Sequence, residues 1–373
     1  MKKYFAEFKK RIDRHRRFLE SKSAGNLLVY VNRYRLPWFD GFLHRKLAER
    51  PMIEWLKAGR IDKMIAEYAT LLRKDRPQFF AIDDDAVPSV IVYWGIGGIT
   101  SAMSGIDFFH DGTNSWLEPN LTWAAIEQLR FDPENPGLQF ALQINNALWK
   151  IWEEDFLILP FLHRSPLDAA NGLRGTELFT EMYSDPEPVK QLINWCADWS
   201  IKTEKFLEAN VRHYGNIGTG AWGTWLPAGS VFVNGDPVGL ISPEMQAEFD
   251  KPYTGKLFTA TGGGFFHNHT LGLYQVMNVA GIPGILIQEF ISDPTSPNVH
   301  EVMLNDPKRR DEIIQASLQT PVMMEFVPYH LLDQLLPFLA QGRFILSIFY
   351  SEDMSEDMAD DAIRKVRSYG SLE

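Results

Sequence analysis

From about residue 80 onward, short uninterrupted apolar runs alternate with longer stretches of helical periodicity. The runs are FFAIDDD (79–85) or SVIVYWG (89–95), FLILPFL (156–162), SVFVNG (230–235), GGFFHNH (263–269), GILIQEF (284–290), PVMMEFV (321–327) and GRFILSIF (342–349). Apolar runs without alternation are expected of parallel strands covered on both faces, because neither face meets water. Amphipathic segments such as SPEMQAEFDKPYTGKLFTAT and DPKRRDEIIQASLQ separate them. Strand, helix, strand repeated about eight times predicts an α/β fold, a (β/α)8 TIM barrel. A doubly wound open sheet is the alternative, since periodicity does not separate the two. The first 75 residues read mostly as helix, interrupted by NLLVYVN (26–32). The expected organisation is an N-terminal helical extension over 1–75, packed on a barrel over 76–373.

Composition narrows the function. The 373 residues, 45% of them hydrophobic, can bury a large core. No run of about 18 apolar residues is present to span a bilayer, so no integral membrane segment is expected. The start, MKKYFAEFKKRIDRHRRFLESKSAG, is too charged for a secretory signal and reads as an opening helix with a solvated charged face; a cytoplasmic location follows as an expectation. A net charge of −11 argues against nucleic acid as a partner, because phosphate binding relies on clustered Lys and Arg. A small-molecule substrate is expected instead. Cys196 is the one cysteine, which excludes an internal disulfide and a multi-cysteine metal site; LINWCADW places it in a helix as packing. The 11 Trp suit a pocket for a flat or apolar ligand and a well-filled core equally.

In such barrels the catalytic groups stand at the C-terminal ends of the strands. The polar residues there are Asn32 and Arg33, Asp83 to Asp85, His163 and Arg164, Asn234 and Asp236, His267 and His269, Glu289, Glu325, and Tyr350 and Ser351. Strands end in loops, so many of these need no function. Geometry selects among them: side chains alternate along a strand, so His267 and His269 point the same way. Two imidazoles on one face can share a cation, and Glu289, ending the next strand, can bring a carboxylate to the same point. His-x-His with a carboxylate matches a catalytic zinc site with an open fourth position, and also the facial triad of non-haem iron. Two strand-end histidines hydrogen-bonded to neighbours would show the same spacing. Gly262 to Gly264 form the turn into that strand, where positive φ must be allowed. GIGG (95–98) lacks the third glycine and the following acid of a dinucleotide fingerprint, and no G-x-S-x-G or P-loop is present.

The segment PLDAANGLRGTELFTEMYSDPEPVKQLINWCADW (166–199) resembles the uroporphyrinogen decarboxylase superfamily in its L-R-G, acidic, D-P-E-x-V-x-x-L order. VNGDPVGLISPEMQAEFDKPYTGKL (233–257) is similar to that superfamily's G-D-x-G, S-P-E and P-Y segment, and the resemblance extends from roughly residue 80 to the C-terminus. It implies a (β/α)8 barrel and two chemistries. Decarboxylases of the haem pathway use an aspartate on the pyrrole N–H groups and N-terminal arginines on the substrate carboxylates. Arg33 and Arg35 and Asp83 to Asp85 offer these, but the string R-Q-A-G-R-Y-L-P is missing. The other branch comprises zinc methyltransferases that act with corrinoid proteins, with cobalamin-independent methionine synthase as a more distant relative. There His267 corresponds to the ligand histidine, His269 replaces a cysteine, Glu289 resembles in position the glutamate of the methionine synthase type, and the final cysteine is absent. SIFYS (347–351) occupies its place, leaving Tyr350 or Ser351 as polar candidates.

Three functional readings follow. The first is a metal-dependent methyltransferase with zinc or another divalent metal on His267, His269 and Glu289, Asp236 or Glu325 assisting, and Asn234 and Tyr350 at the substrate. The methyl donor would be a small molecule or a corrinoid carried by a partner protein, and the acceptor a small thiol or oxygen compound. The second is a metal-free decarboxylase of a porphyrinogen or other polycarboxylate, with Asp84 stabilising the developing charge and Arg33, Arg35 and Arg174 holding carboxylates. Surface ion pairing is the plainer role for Arg35. The third is a non-catalytic barrel that binds a ligand or corrinoid partner. A homodimer is the candidate assembly.

Overall fold

The apolar runs become parallel strands: β1 (Asn26–Asn32), β2 (Ser89–Ile91), β3 (Leu157–Leu159), β4 (Leu162–Arg164), β5 (Val231–Asn234), β6 (Gly264–His269), β7 (Ile285–Ile291), β8 (Val322–Val327) and β9 (Arg343–Phe349). The structure, a computed structural model, describes residues 2–32, 58–93, 95–107, 109–110, 115–116, 121–211, 217–349 and 354–370. Seven of the strands pair in the order β1-β9-β8-β7-β6-β5-β4, all parallel. β2 pairs in parallel with β3. Pro160 parts β3 from β4 and cannot donate to a ladder, so these two segments form one stave. The circuit is the (β/α)8 barrel that the periodicity predicts. Among the described residues no helix is long and apolar enough to cross a membrane.

Two expectations are corrected. FFAIDDD is not a strand: Phe79 ends a helix that begins at Ile61, and the stave is the alternative run beginning at Ser89. The division at residue 75 also does not follow the sheet, because β1 pairs with β9 residue for residue from Asn26 to Asn32. A strand preceding most of the helical extension is thus part of the barrel itself.

Where β1 meets the segment entering β2, side chains replace a strand ladder. Asp85 donates its backbone N–H to Val29 O at 2.8 Å, while Val29 N–H donates to Asp85 Oδ2 at 2.9 Å and Val31 N–H to Asp84 Oδ2 at 2.8 Å. Helix α1 (Lys2–Glu20) lies over this seam. Its Arg11, fully buried, donates to Asp84 Oδ1 (2.8 Å), Ala86 O (2.6 Å) and Ile82 O (2.6 Å), and Arg14 donates to Asp85 Oδ1 at 2.8 Å. The face of α1 expected to be solvated therefore carries two arginines that hold the barrel closed.

Inside the barrel, two layers recur in a two-residue step. Leu28, Leu162, Phe232, Phe265, Ile287, Met323 and Ile345 belong to one apolar core cluster. Two residues farther along each strand stand Tyr30, Arg164, Asn234, His267, Glu289, Glu325 and Ser347, all but His267 classed as buried. Alternation of strand side chains puts each pair on the same face. The residues between them, among them Val29, Met324 and Leu346, face outward into a separate cluster with the helices. A floor of hydrocarbon thus carries a polar layer, and the polar layer lies toward the strand C-terminal ends.

The seam yields a stability test. Asp84→Ala leaves Arg11 buried without its carboxylate and Val31 N–H without an acceptor, and the expected loss is about 3–5 kcal/mol. Asp83 pairs with Lys10 and Arg367 at the surface, so Asp83→Ala is expected to cost about 0.2–1 kcal/mol. Urea unfolding of both variants checks the contrast, and equal losses would contradict the role assigned to the seam.

Candidate functional site

The site is set by strand register. Gly264 of β6 pairs with Ile285, but Phe265 pairs with Ile287, so β7 carries one extra residue at its start. The bulge reverses the alternation of β7: without it, Gln288 would face His267 and Glu289 would point outward. With it, His267 lies between Glu289 on one side and Asn234 on the other. The glycine turn admits the bulge, since Gly263 has φ 107° and a Cβ there would come within 2.7 Å of Leu286.

Glu289 Oε2 accepts a hydrogen bond from His267 Nδ1. Burial opposes a charged imidazole, but the neighbouring carboxylate outweighs it and holds the His267 pKa above 6.5. The ring lies against Trp222, with centroids 5.4 Å apart and planes at 29°. Trp222 sits at the tip of the hairpin formed by Thr219–Ala221 and Thr224–Leu226, with φ 49°. His269, two residues on, presents its ring at 80° to that of His267, centroids 5.3 Å apart. Its Nε2 is 3.6 Å from Asp236 Oδ1 and its Nδ1 is 3.9 Å from Asp293 Oδ2.

Asp236 opens a short 3-10 turn beyond the end of β5, Asp236–Leu240. Ligand atoms of Asp236, His267 and His269 all lie within 4.8 Å of one another. The position expected of Glu289 is thus taken by Asp236 from the preceding stave. The reason is height: Glu289 stands level with His267 and meets its Nδ1, whereas the turn after β5 lifts Asp236 to the level of His269. These donors suit a divalent metal. Tetrahedral coordination with bonds near 2.1 Å separates two donor atoms by about 3.4 Å, close to the 3.6 Å between Asp236 and His269. Asp236 Oδ1 is also buried with no hydrogen-bond partner, an arrangement that a bound cation would satisfy.

Arg164 faces inward beside Asn234 and is held by Asp168 through Nε (2.8 Å) and Nη2 (2.7 Å) and by Thr100 through Nη1 (2.8 Å). A Cβ at Gly172 would lie 2.0 Å from its Nη1, so the glycine makes room for the guanidinium. Glu325 lies at a second irregularity: β8 pairs Met324 with Leu346 and Val327 with Ile348, so Glu325 and Phe326 both oppose Ser347. Phe326 has φ 55°, an unfavourable backbone for an aromatic residue. Burial, with the negative charge of Glu289 adding to it, raises the Glu325 carboxyl well above the ordinary 4.5.

Other expected site residues are engaged elsewhere. Both Asp84 carboxylate oxygens serve the seam, which removes its expected role on a substrate. Arg174 binds Glu181 through Nε (3.0 Å) and Nη2 (2.7 Å), pairs with Glu177 and lies over Trp123; these local partners replace the expected substrate carboxylate. Arg33, Arg35, Tyr350 and Ser351 lie outside the described residues. Sequence reasoning missed Asp293 and Trp222, which approach the histidines only through folding of a loop and a hairpin. Arg164 had a signal, its place at a strand end.

No protein-family model matches the chain. No curated protein sequence matches it either. Among solved structures, a methyltransferase from Methanosarcina mazei is similar with a TM-score of 0.53 at 10% identity, covering 83% of this chain and 86% of that one. A likeness at that identity establishes a shared fold.

The raised pKa of Glu325 is open to test. Because its folded pKa is raised, its contribution to stability is fully present below 4.5 and is lost as pH rises through the folded value. Glu325→Gln keeps a neutral side chain at every pH. The variant is expected to gain on the wild type as pH rises above 4.5, by at most about 1.4 kcal/mol per pH unit, in urea titrations across that range. A difference that stays constant with pH would show that Glu325 ionises normally.

Proposed function

We propose that this protein is a metal-dependent methyltransferase-like enzyme that binds zinc or another divalent metal on Asp236, His267 and His269. The observation that carries this reading is the convergence of three donor atoms within 4.8 Å at the C-terminal end of adjacent barrel staves. The fold shared with the Methanosarcina mazei methyltransferase supports the choice of chemistry, as does the resemblance of residues 166–199 and 233–257 to the uroporphyrinogen decarboxylase superfamily. The substrates proposed are a small thiol or oxygen acceptor and a methyl donor that is a small molecule or a corrinoid on a partner protein.

The residues divide the work by position. Glu289 accepts from His267 Nδ1 and so leaves Nε2 with the lone pair that a metal requires. Asp236 offers Oδ1, which has no other partner. A metal on this set would act as a Lewis acid, lowering the pKa of the acceptor's thiol or hydroxyl. Trp222 and the apolar floor exclude water from beneath His267. Asn234, whose Oδ1 is buried without a partner, can accept a hydrogen bond from substrate. Nothing in the described residues favours decarboxylation, since Asp84 and Arg174 are committed to ion pairs.

The test begins with the metal. Protein purified without chelator is expected to carry about one zinc per chain; His269→Ala and Asp236→Ala should lose it, and Glu289→Gln should weaken zinc binding about 10–100-fold. Transfer of methyl from methylcobalamin to a small thiol should then stop on chelation and return with zinc. A wild-type chain that takes up no divalent metal would overturn the proposal.

A further inference from the structure

Each histidine of the candidate metal site has a carboxylate on its Nδ1 side, and only one of the two has been given a role. Glu289 serves His267. On His269 the corresponding group is Asp293, with Oδ2 at 3.9 Å from Nδ1, while Nε2 faces Asp236. Asp293 lies two residues past the end of β7 and is fixed there by its surroundings. Its Oδ1 accepts from Thr295 N–H at 3.0 Å and from Thr295 Oγ1 at 2.8 Å, and its own N–H donates to Thr270 Oγ1 at 3.0 Å. Thr270 adjoins His269 and also contacts Ser296 Oγ at 2.8 Å. The loop after β7 is thereby stitched to the end of β6, and Asp293 Oδ2 is left pointing at His269.

We propose that Asp293 is the positioning residue of His269, accepting its Nδ1–H and directing Nε2 toward the cation. The inference rests on the metal reading above. The distance of 3.9 Å is about 1 Å beyond hydrogen-bond reach, so the proposal requires the partly exposed imidazole to turn toward Asp293. Two carboxylate-backed imidazoles donate more charge to a metal than two isolated ones. They would partly replace the thiolate donation that a site without cysteine lacks.

The probe is cobalt(II), whose visible absorption reports ligand identity and geometry, titrated into the full chain. Asp293→Asn is expected to lower cobalt affinity about 10–100-fold and to alter the visible spectrum. Asp293→Glu should recover most of both. Thr295→Val, which loosens the loop but keeps the carboxylate, separates loss of the charge from loss of the loop, and circular dichroism confirms folding of each variant. If the wild type binds no cobalt, the metal site itself is wrong. If the wild type binds and Asp293→Asn matches it in affinity and spectrum, Asp293 has no part in positioning His269.

Discussion

One extra residue at the start of β7 decides what the barrel presents to its own interior. A strand alternates faces with a period of two, so a single inserted residue exchanges every side chain beyond it. The shift between Gly264 and Phe265 brings Glu289 inward against His267 and sends Gln288 out. Gly263 is the steric condition for that shift, because a side chain there would occupy the space of Leu286. The glycine run that opens β6 and the carboxylate that orients its histidine are therefore parts of one construction, although they lie on different strands.

The polar layer is tolerable because its charges are neutralised within it or at its edge. Arg164 is bound bidentately by Asp168 and His267 by Glu289, while burial and the charge of Glu289 raise the Glu325 carboxyl and so oppose its ionisation. Burying an unpaired charge costs several kcal/mol, so each of these pairings is needed if the layer is to sit on an apolar floor. The seam between β1 and β2 applies the same rule. Asp84 and Asp85 accept the strand's N–H groups and are themselves balanced by Arg11 and Arg14. Charge pairing thus closes the barrel at one place and equips its mouth at another.

This explains what could be read from the chain. Continuous apolar runs report burial on both faces, and that property survives in sequence, so most staves and the same-face relation of His267 and His269 were legible. NLLVYVN carried the same signal as the later runs, but the helical stretches around it masked its place as the first stave. Glu289 was correctly placed beside His267, yet periodicity carries no information about height along the barrel. The exchange of Glu289 for Asp236 beside the two histidines depended on a turn after β5 that no pattern marks. The triple aspartate looked like a cluster aimed at substrate. Its function in closing the seam depends on arginines more than sixty residues away, which local pattern does not connect.

The donor set also constrains the chemistry that the site would support. Two imidazoles and a carboxylate are harder donors than thiolates and leave more positive charge on a bound divalent ion. Glu289 and the approach of Asp293 temper that charge from behind the rings, but neither changes the atoms that would touch the metal. Such a centre binds oxygen ligands well and holds a thiolate less electron-rich than a sulfur-ligated site would. By this argument an oxygen acceptor fits the residues better than a thiol does.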